Sequence, residues 1–117
     1  MNDTKLSVVV PVFNEEGNIE KLYNEIKGVC ENNGYTYEII FVNDGSTDGT
    51  DRVCKTLSPL KYIRMRKNFG QTAAMDAGIK ASQYDYIVTM DGDGQNDPAD
   101  IPRMLDCMIE HDYDVND

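Results

Sequence analysis

A chain of 117 residues carrying 11 Lys and Arg against 21 Asp and Glu, with a formal net charge of −10, is one domain's worth or less, and at that size a single core forms without disulfide help. This acidity excludes nucleic acid and anionic membrane surfaces as partners, since both reward basic patches, and any phosphate ligand would need a cation beside it. Cys30, Cys54 and Cys107 stand in no metal-like spacing, which fits reduced thiols buried in the core of a cytoplasmic protein, and no run nears the ~18 apolar residues of a membrane span.

The start, MNDTKLSVVVPV, lacks a signal peptide's basic opening and cleavage site. In chain order, LSVVVPV (6–12) is a β-branched run closed by Asn and Glu, which predicts a buried strand. GNIEKLYNEIKGVCENNG (17–34) then places Ile19, Leu22, Tyr23, Ile26, Val29 and Cys30 at helical spacing, with NNG as its stop. YEIIFVN (37–43) is a second strand, and DGSTDGT is a turn in which Asp48 or Thr47 caps a helix around 50–57. LKYIRM (60–65) predicts a third strand, the Ala-rich GQTAAMDAGIKAS (70–82) a helix, and YDYIVTM (84–90) a fourth strand. After DGDGQNDP, the segment ADIPRMLDCMIEH (99–111) sets Ile101, Met104, Leu105, Met108 and Ile109 at helical spacing, with Pro102 tolerable only in the first turn.

The resulting β-α-β-α-β-α-β-α order implies an α/β, Rossmann-like, mostly parallel sheet with helices on both faces and right-handed crossovers. Ligands of such sheets sit outside the carboxyl ends of the strands. Three polar clusters fall there: PVFNEE (11–16), NDGSTDGT (43–50) and DGDGQNDP (91–98). Loops after parallel strands share one rim, so residues distant in sequence converge on it.

The stock phosphate motifs fail. The chain has no G-x-x-x-x-G-K-[ST], and GDGQND ends in Asp97 where a dinucleotide fingerprint needs Gly. DGSTDG opens like an EF-hand calcium loop, but its twelfth position is Lys55; the loop starting at Asp91 has Asn96 at its sixth position and Pro102 at its twelfth. What remains is a pair of carboxylates at a strand end. Asp91 and Asp93 straddle Gly92, and Gln95 adds a neutral carbonyl oxygen, a set suited to Mg²⁺ or Mn²⁺ shared with waters and substrate phosphates. By itself an Asp-x-Asp also fits a solvated turn, and Asp97 before Pro98 reads as a cap.

Four segments together, VVPVFNEEGNI, EIIFVNDGSTDGT, RKNFGQTAAMDAGI and VTMDGDGQNDP, resemble the amino-terminal half of family 2 glycosyltransferases of the GT-A fold, with the polyprenyl-phosphate mannosyl- and glucosyltransferases as the nearest group. The resemblance runs from about Leu6 to about Tyr113. It implies that Pro11, Phe13 and Glu15 belong to the nucleotide pocket, with core packing and turn or first-turn roles as their plainer uses. Asp44 would accept a ring N–H of uracil or guanine, which does not separate UDP from GDP donors. The family often has Asp where this chain has Asn43, so that position takes a smaller share. Asp91 and Gly92 would lie along the diphosphate, and Asp91, Asp93 and Gln95 would hold the metal. Asn68 and Gly70 would shape the turn into the following helix, with Arg66 or Lys67 either near the donor or solvated. His111, Cys107 and the methionines of the last helix read as filler.

The implied reaction moves a sugar from a UDP- or GDP-sugar to a polyprenyl phosphate or cell-envelope glycan, with inversion and with help from Mg²⁺ or Mn²⁺. The other reading kept is a nucleotide-sugar-binding module without catalysis; a glycosidase gives no reason for VNDGS or Gln95. No base for a hydroxyl acceptor stands out, and acceptor-side residues of the resembled family lie beyond this length. The expectation is therefore one donor-binding domain over residues 1–117, cut off before an acceptor half, its parent at the cytoplasmic face of a membrane. Apolar surface left where that half docks would favour a homodimer.

Overall fold

The computed structural model describes residues 4–92 and 97–110. Its elements are β1 (Lys5–Val12), α1 (Ile19–Asn32), β2 (Thr36–Asn43), α2 (Thr50–Cys54), β3 (Lys61–Arg64), α3 (Gln71–Ala81), β4 (Tyr86–Thr89), a 3-10 turn at Pro98–Asp100, and α4 (Ile101–Glu110). The expected alternation of strand and helix is present in full. The four strands form one sheet in the order β3-β2-β1-β4, with every neighbouring pair parallel.

The β-branched run of β1 makes it the central strand, buried from Leu6 to Val12. Alternate residues serve the two faces. Leu6, Val8, Val10 and Val12 join Ile39, Phe41, Val88 and Met90 against Ile19, Leu22, Tyr23 and Ile26 of α1 and Ile101 and Leu105 of α4. On the other face Val9, Ile40 and Val42 pack against Ala74 of α3. The chain builds outward through β2 and β3, then returns past β1 to β4. A right-handed crossover made in the reverse direction must cross the opposite face, which is why α3 is the one helix there among the described residues.

Local signals explain most boundaries. The NNG stop of α1 forms Schellman bonds, with Gly34 N–H donating to the Glu31 carbonyl (3.1 Å) and Tyr35 N–H to that of Cys30 (3.1 Å). Helix α2 is shorter than the 50–57 expected, because the chain tightens at its end into Thr56 N–H to Val53 and Leu57 N–H to Cys54 bonds three residues back. Asp97 caps as expected, its carboxylate accepting the Ala99 N–H at 3.0 Å. The cysteines need one correction: Cys30 and Cys54 are buried, while Cys107 is exposed because it lies off the apolar stripe of α4. Burial first, with a nearby carboxylate second, pushes the Cys30 and Cys54 thiols up to about 12, so neither is a thiolate at neutral pH.

Candidate functional site

The order in which strands are added reverses at β1, so the crevice beyond the carboxyl ends of β1 and β4 is the topological switch point. A pocket of about 120 Å³ opens beside it, lined by Pro11 and Val12 at the end of β1, Phe13 and Glu15 after it, Asp44 after β2, Gln71 at the start of α3, and Asp91 and Gly92 after β4. The volume is below the roughly 300–1,000 Å³ of complete ligand sites. Pro11, Phe13, Glu15, Asp44, Asp91 and Gly92, expected from sequence, thus meet in one place. Asp93 and Gln95 lie outside the described residues, as does His111.

The first two loops are interlocked by their own side chains. Asp44 N–H donates to the Val12 carbonyl (2.9 Å), extending the ladder one residue past the end of β2. Asn14, at a φ of 52°, accepts on Oδ1 from the N–H groups of Thr47 (2.8 Å) and Asp48 (3.3 Å), while its own N–H donates to Ser46 Oγ (2.9 Å). Glu15 N–H donates to Thr50 Oγ1 (2.9 Å), and Glu16 N–H reaches Asp48 Oδ2 (3.4 Å). Asp48 Oδ1 also accepts from Thr50 N–H (2.9 Å), but the N-cap position of α2 is Gly49 and not the expected Asp48 or Thr47, so Asp48 serves the loop lock. Phe13 does not pack in the core; it stands 43% exposed and lines the pocket.

Asp44 is buried, and its carboxylate takes two successive backbone N–H groups, Phe69 to Oδ1 (2.8 Å) and Gly70 to Oδ2 (3.1 Å). The 66–70 loop is therefore drawn onto the rim. Gly45, at a φ of 71°, makes that approach possible: a Cβ there would lie 2.3 Å from Asn68 N. Gly92 is required by space, since a Cβ would come within 2.8 Å of the Pro11 carbonyl oxygen and of Val12 Cγ1. Arg66 and Lys67 are exposed and do not line the pocket; Lys67 Nζ instead sits 5.2 Å from the centre of the Phe69 ring.

Two residues gain roles that sequence reasoning missed. Asn43 is buried and structural: Ser46 N–H donates to its Oδ1 (3.0 Å), and its Nδ2 donates to Tyr62 Oη (2.9 Å), which in turn donates to Asp51 Oδ1 (2.6 Å). Gln71 lines the pocket and its Nε2 donates to Asp91 Oδ1. Its position at the start of a helix that itself follows a strand end was the available signal. Among the described residues no group of three or more metal-ligating side chains converges. Asp91, half-buried at the pocket, offers the hard oxygen donor that Mg²⁺ or Mn²⁺ prefers, so what is described of the expected donor set fits such an ion.

A profile for "Glycosyl transferase family 2" matches residues 7–117. The chain is 40% identical over 116 residues, 95% of its length, to a dodecaprenyl-phosphate galacturonate synthase of Rhizobium johnstonii, of which it covers 34%. Among solved structures it is similar to residues 1–349 of S. aureus TarS in complex with UDP, with a TM-score of 0.70 and 23% identity over 92% of this chain and 33% of that one. It is also similar to the mannosyltransferase PcManGT of Pyrobaculum calidifontis, in complex with GDP-Man and Mn²⁺, with a TM-score of 0.67 and 24% identity over 80% of this chain and 28% of that one. The chain spans about a third of the length of the curated relatives it matches. None of these similarities supports the expected homodimer, and among the described residues no helix is long and apolar enough to cross a membrane.

Proposed function

Because this chain belongs to glycosyl transferase family 2, we propose that it forms the donor-binding part of an inverting sugar transferase. The donor is a UDP- or GDP-sugar and the acceptor a polyprenyl phosphate. The observation that carries this reading is the convergence of Pro11, Phe13, Glu15, Asp44, Asp91 and Gly92 from three strand ends on one pocket. The acceptor follows the similarity to a dodecaprenyl-phosphate galacturonate synthase, and the two donor bases follow the UDP and GDP-Man of the structural neighbours.

In this reading the base lies toward Asp44, whose oxygens keep lone pairs beyond the two backbone N–H groups they already accept. The ring of Phe13 covers the nucleoside, and the absence of a side chain at Gly92 lets the backbone that follows Asp91 pack directly against the end of β1, which holds Asp91 at the pocket. Asp91, with Asp93 and Gln95, would hold Mg²⁺ or Mn²⁺, which supplies Lewis-acid stabilisation of the departing diphosphate. An acceptor phosphate oxygen attacks the anomeric carbon from the face opposite the leaving group. The new C–O bond forms as the bond to the nucleoside diphosphate breaks, and the diphosphate departs with the electron pair. A phosphate monoester has a second pKa of about 6, so the attacking group is mostly dianionic near neutral pH and needs no base on this chain.

Calorimetric titration with UDP and with GDP, each with Mn²⁺ and with EDTA, tests the reading. Metal-dependent binding of one nucleotide, lost in Asp93→Ala, is expected. Binding that is equally tight in EDTA and in Asp93→Ala would favour a nucleotide-sugar-binding module without catalysis.

A further inference from the structure

We infer that Phe69, Gly70 and Gln71 form a brace that sets the distance between the two carboxylates of the donor site, with Gln71 as the positioning residue for Asp91. This rests on the donor-site reading. Asp44 follows β2 and Asp91 follows β4, so β1 lies between them and no strand pairing ties one to the other. The tripeptide bridges that gap. Its first two N–H groups are held by Asp44 Oδ1 and Oδ2, at 2.8 and 3.1 Å, and the next residue's side-chain amide donates to Asp91 Oδ1.

The backbone of the brace depends on Gly70, whose φ of 100° turns the chain between the two N–H groups held by Asp44 and the first residue of α3, Gln71. A Cβ at that position would meet nothing within 4 Å, so the requirement is conformational. The brace is anchored behind. Helix α3 begins at Gln71 and seats Ala74 and Gly78 on the sheet, where a Cβ on Gly78 would come within 2.4 Å of Val9 Cγ1. A neutral amide is also the apt donor. It orients the Asp91 carboxylate and leaves its negative charge in place for a cation, which a lysine in the same position would cancel.

The test uses the full chain with Gln71→Met, which keeps the length and removes the donor, and Gln71→Glu, which keeps the shape and sets two carboxylates face to face. Gln71 is exposed, so both variants should fold. UDP and GDP are titrated with Mn²⁺ by calorimetry, and uridine and guanosine by amide NMR shifts. For the nucleotide that binds, Gln71→Met should lose about tenfold in affinity, the scale of one hydrogen bond to a charged group, and Gln71→Glu more. Affinity for the matching nucleoside should stay within about twofold, because its end is held by Asp44. Unchanged diphosphate affinity in Gln71→Met overturns the brace, and so does an equal loss for nucleoside and diphosphate, which marks a merely structural role. If the wild type binds neither UDP nor GDP, the donor-site reading falls instead. The brace is then judged in ligand-free protein: shifted Asp91 and Gly92 amide resonances in Gln71→Met sustain it, and unmoved ones overturn it.

Discussion

Asn43 and Asp44 are adjacent, yet their side chains serve opposite purposes. Tyr62 has one proton to give and gives it to Asp51, so the group on its other side must be a donor, and the Asn43 amide is one. A carboxylate at position 43 would face a phenol oxygen with no proton left for it. Asn43→Asp is therefore expected to destabilise the fold by about 1–3 kcal/mol at neutral pH, the cost of a buried group without its partner, read from urea unfolding. Asp44→Ala strands two backbone N–H groups, those of Phe69 and Gly70, and should cost about 1–3 kcal/mol as well as nucleotide binding. The resemblance at this dipeptide was legible in the sequence. The bond from Asn43 to Tyr62 was not, because it joins the end of β2 to β3 across the sheet.

Among the elements, α3 carries the sharpest steric demand. Gly78→Ala would gain about 1 kcal/mol of helix propensity, but its Cβ would lie 2.4 Å from Val9 Cγ1 and 3.1 Å from Val42 Cγ2, and overpacking costs about 1–3 kcal/mol. Packing wins, so the single variant should melt lower than wild type. The pair Val9→Ala with Gly78→Ala should cost less than the sum of its singles, a non-additivity that thermal unfolding would detect. The interlocked loops make a second prediction. Asn14→Ala removes the acceptor of the Thr47 and Asp48 N–H groups and puts Ala at a φ of 52°, so it should cost about 1–3 kcal/mol. Asn14→Gly should recover only the backbone share, since the lost acceptor remains lost.

Across the whole molecule, Glu38 ties the amino-terminal edge of the sheet together. Its Oε2 accepts from Ser7 Oγ of β1 (2.6 Å) and from Gln83 N–H before β4 (2.8 Å), and its Oε1 lies 3.0 Å from Lys61 Nζ of β3. Burial pushes this carboxyl up, but the hydrogen bonds from Gln83, Ser7 and Lys61 and the Lys61 charge outweigh it and hold it below its ordinary value. A lowered folded pKa means that its stabilisation is complete above the unfolded value of about 4.3 and is lost as pH falls through the lowered one. Urea unfolding at pH 7 and at pH 3 should therefore show a smaller acid loss in Glu38→Gln than in wild type, with the variant the less stable of the two at pH 7.

Strand and helix order, the parallel sheet and the rim on which the three polar clusters lie were determined by the sequence alone. Alternating runs of β-branched and helix-spaced residues leave few ways to bury both, and parallel strands place their following loops at one end. The six expected residues that line the pocket were named by the resemblance to family 2 glycosyltransferases. Only the tertiary structure decided that Asn43 belongs to the core, that Asn14 and Asp48 lock two loops, and that Gln71 reaches Asp91. Each depends on contacts between segments about 20 or more residues apart, which the strand order β3-β2-β1-β4 and the crossover of α3 bring together. No local pattern of charge or hydrophobicity records that placement.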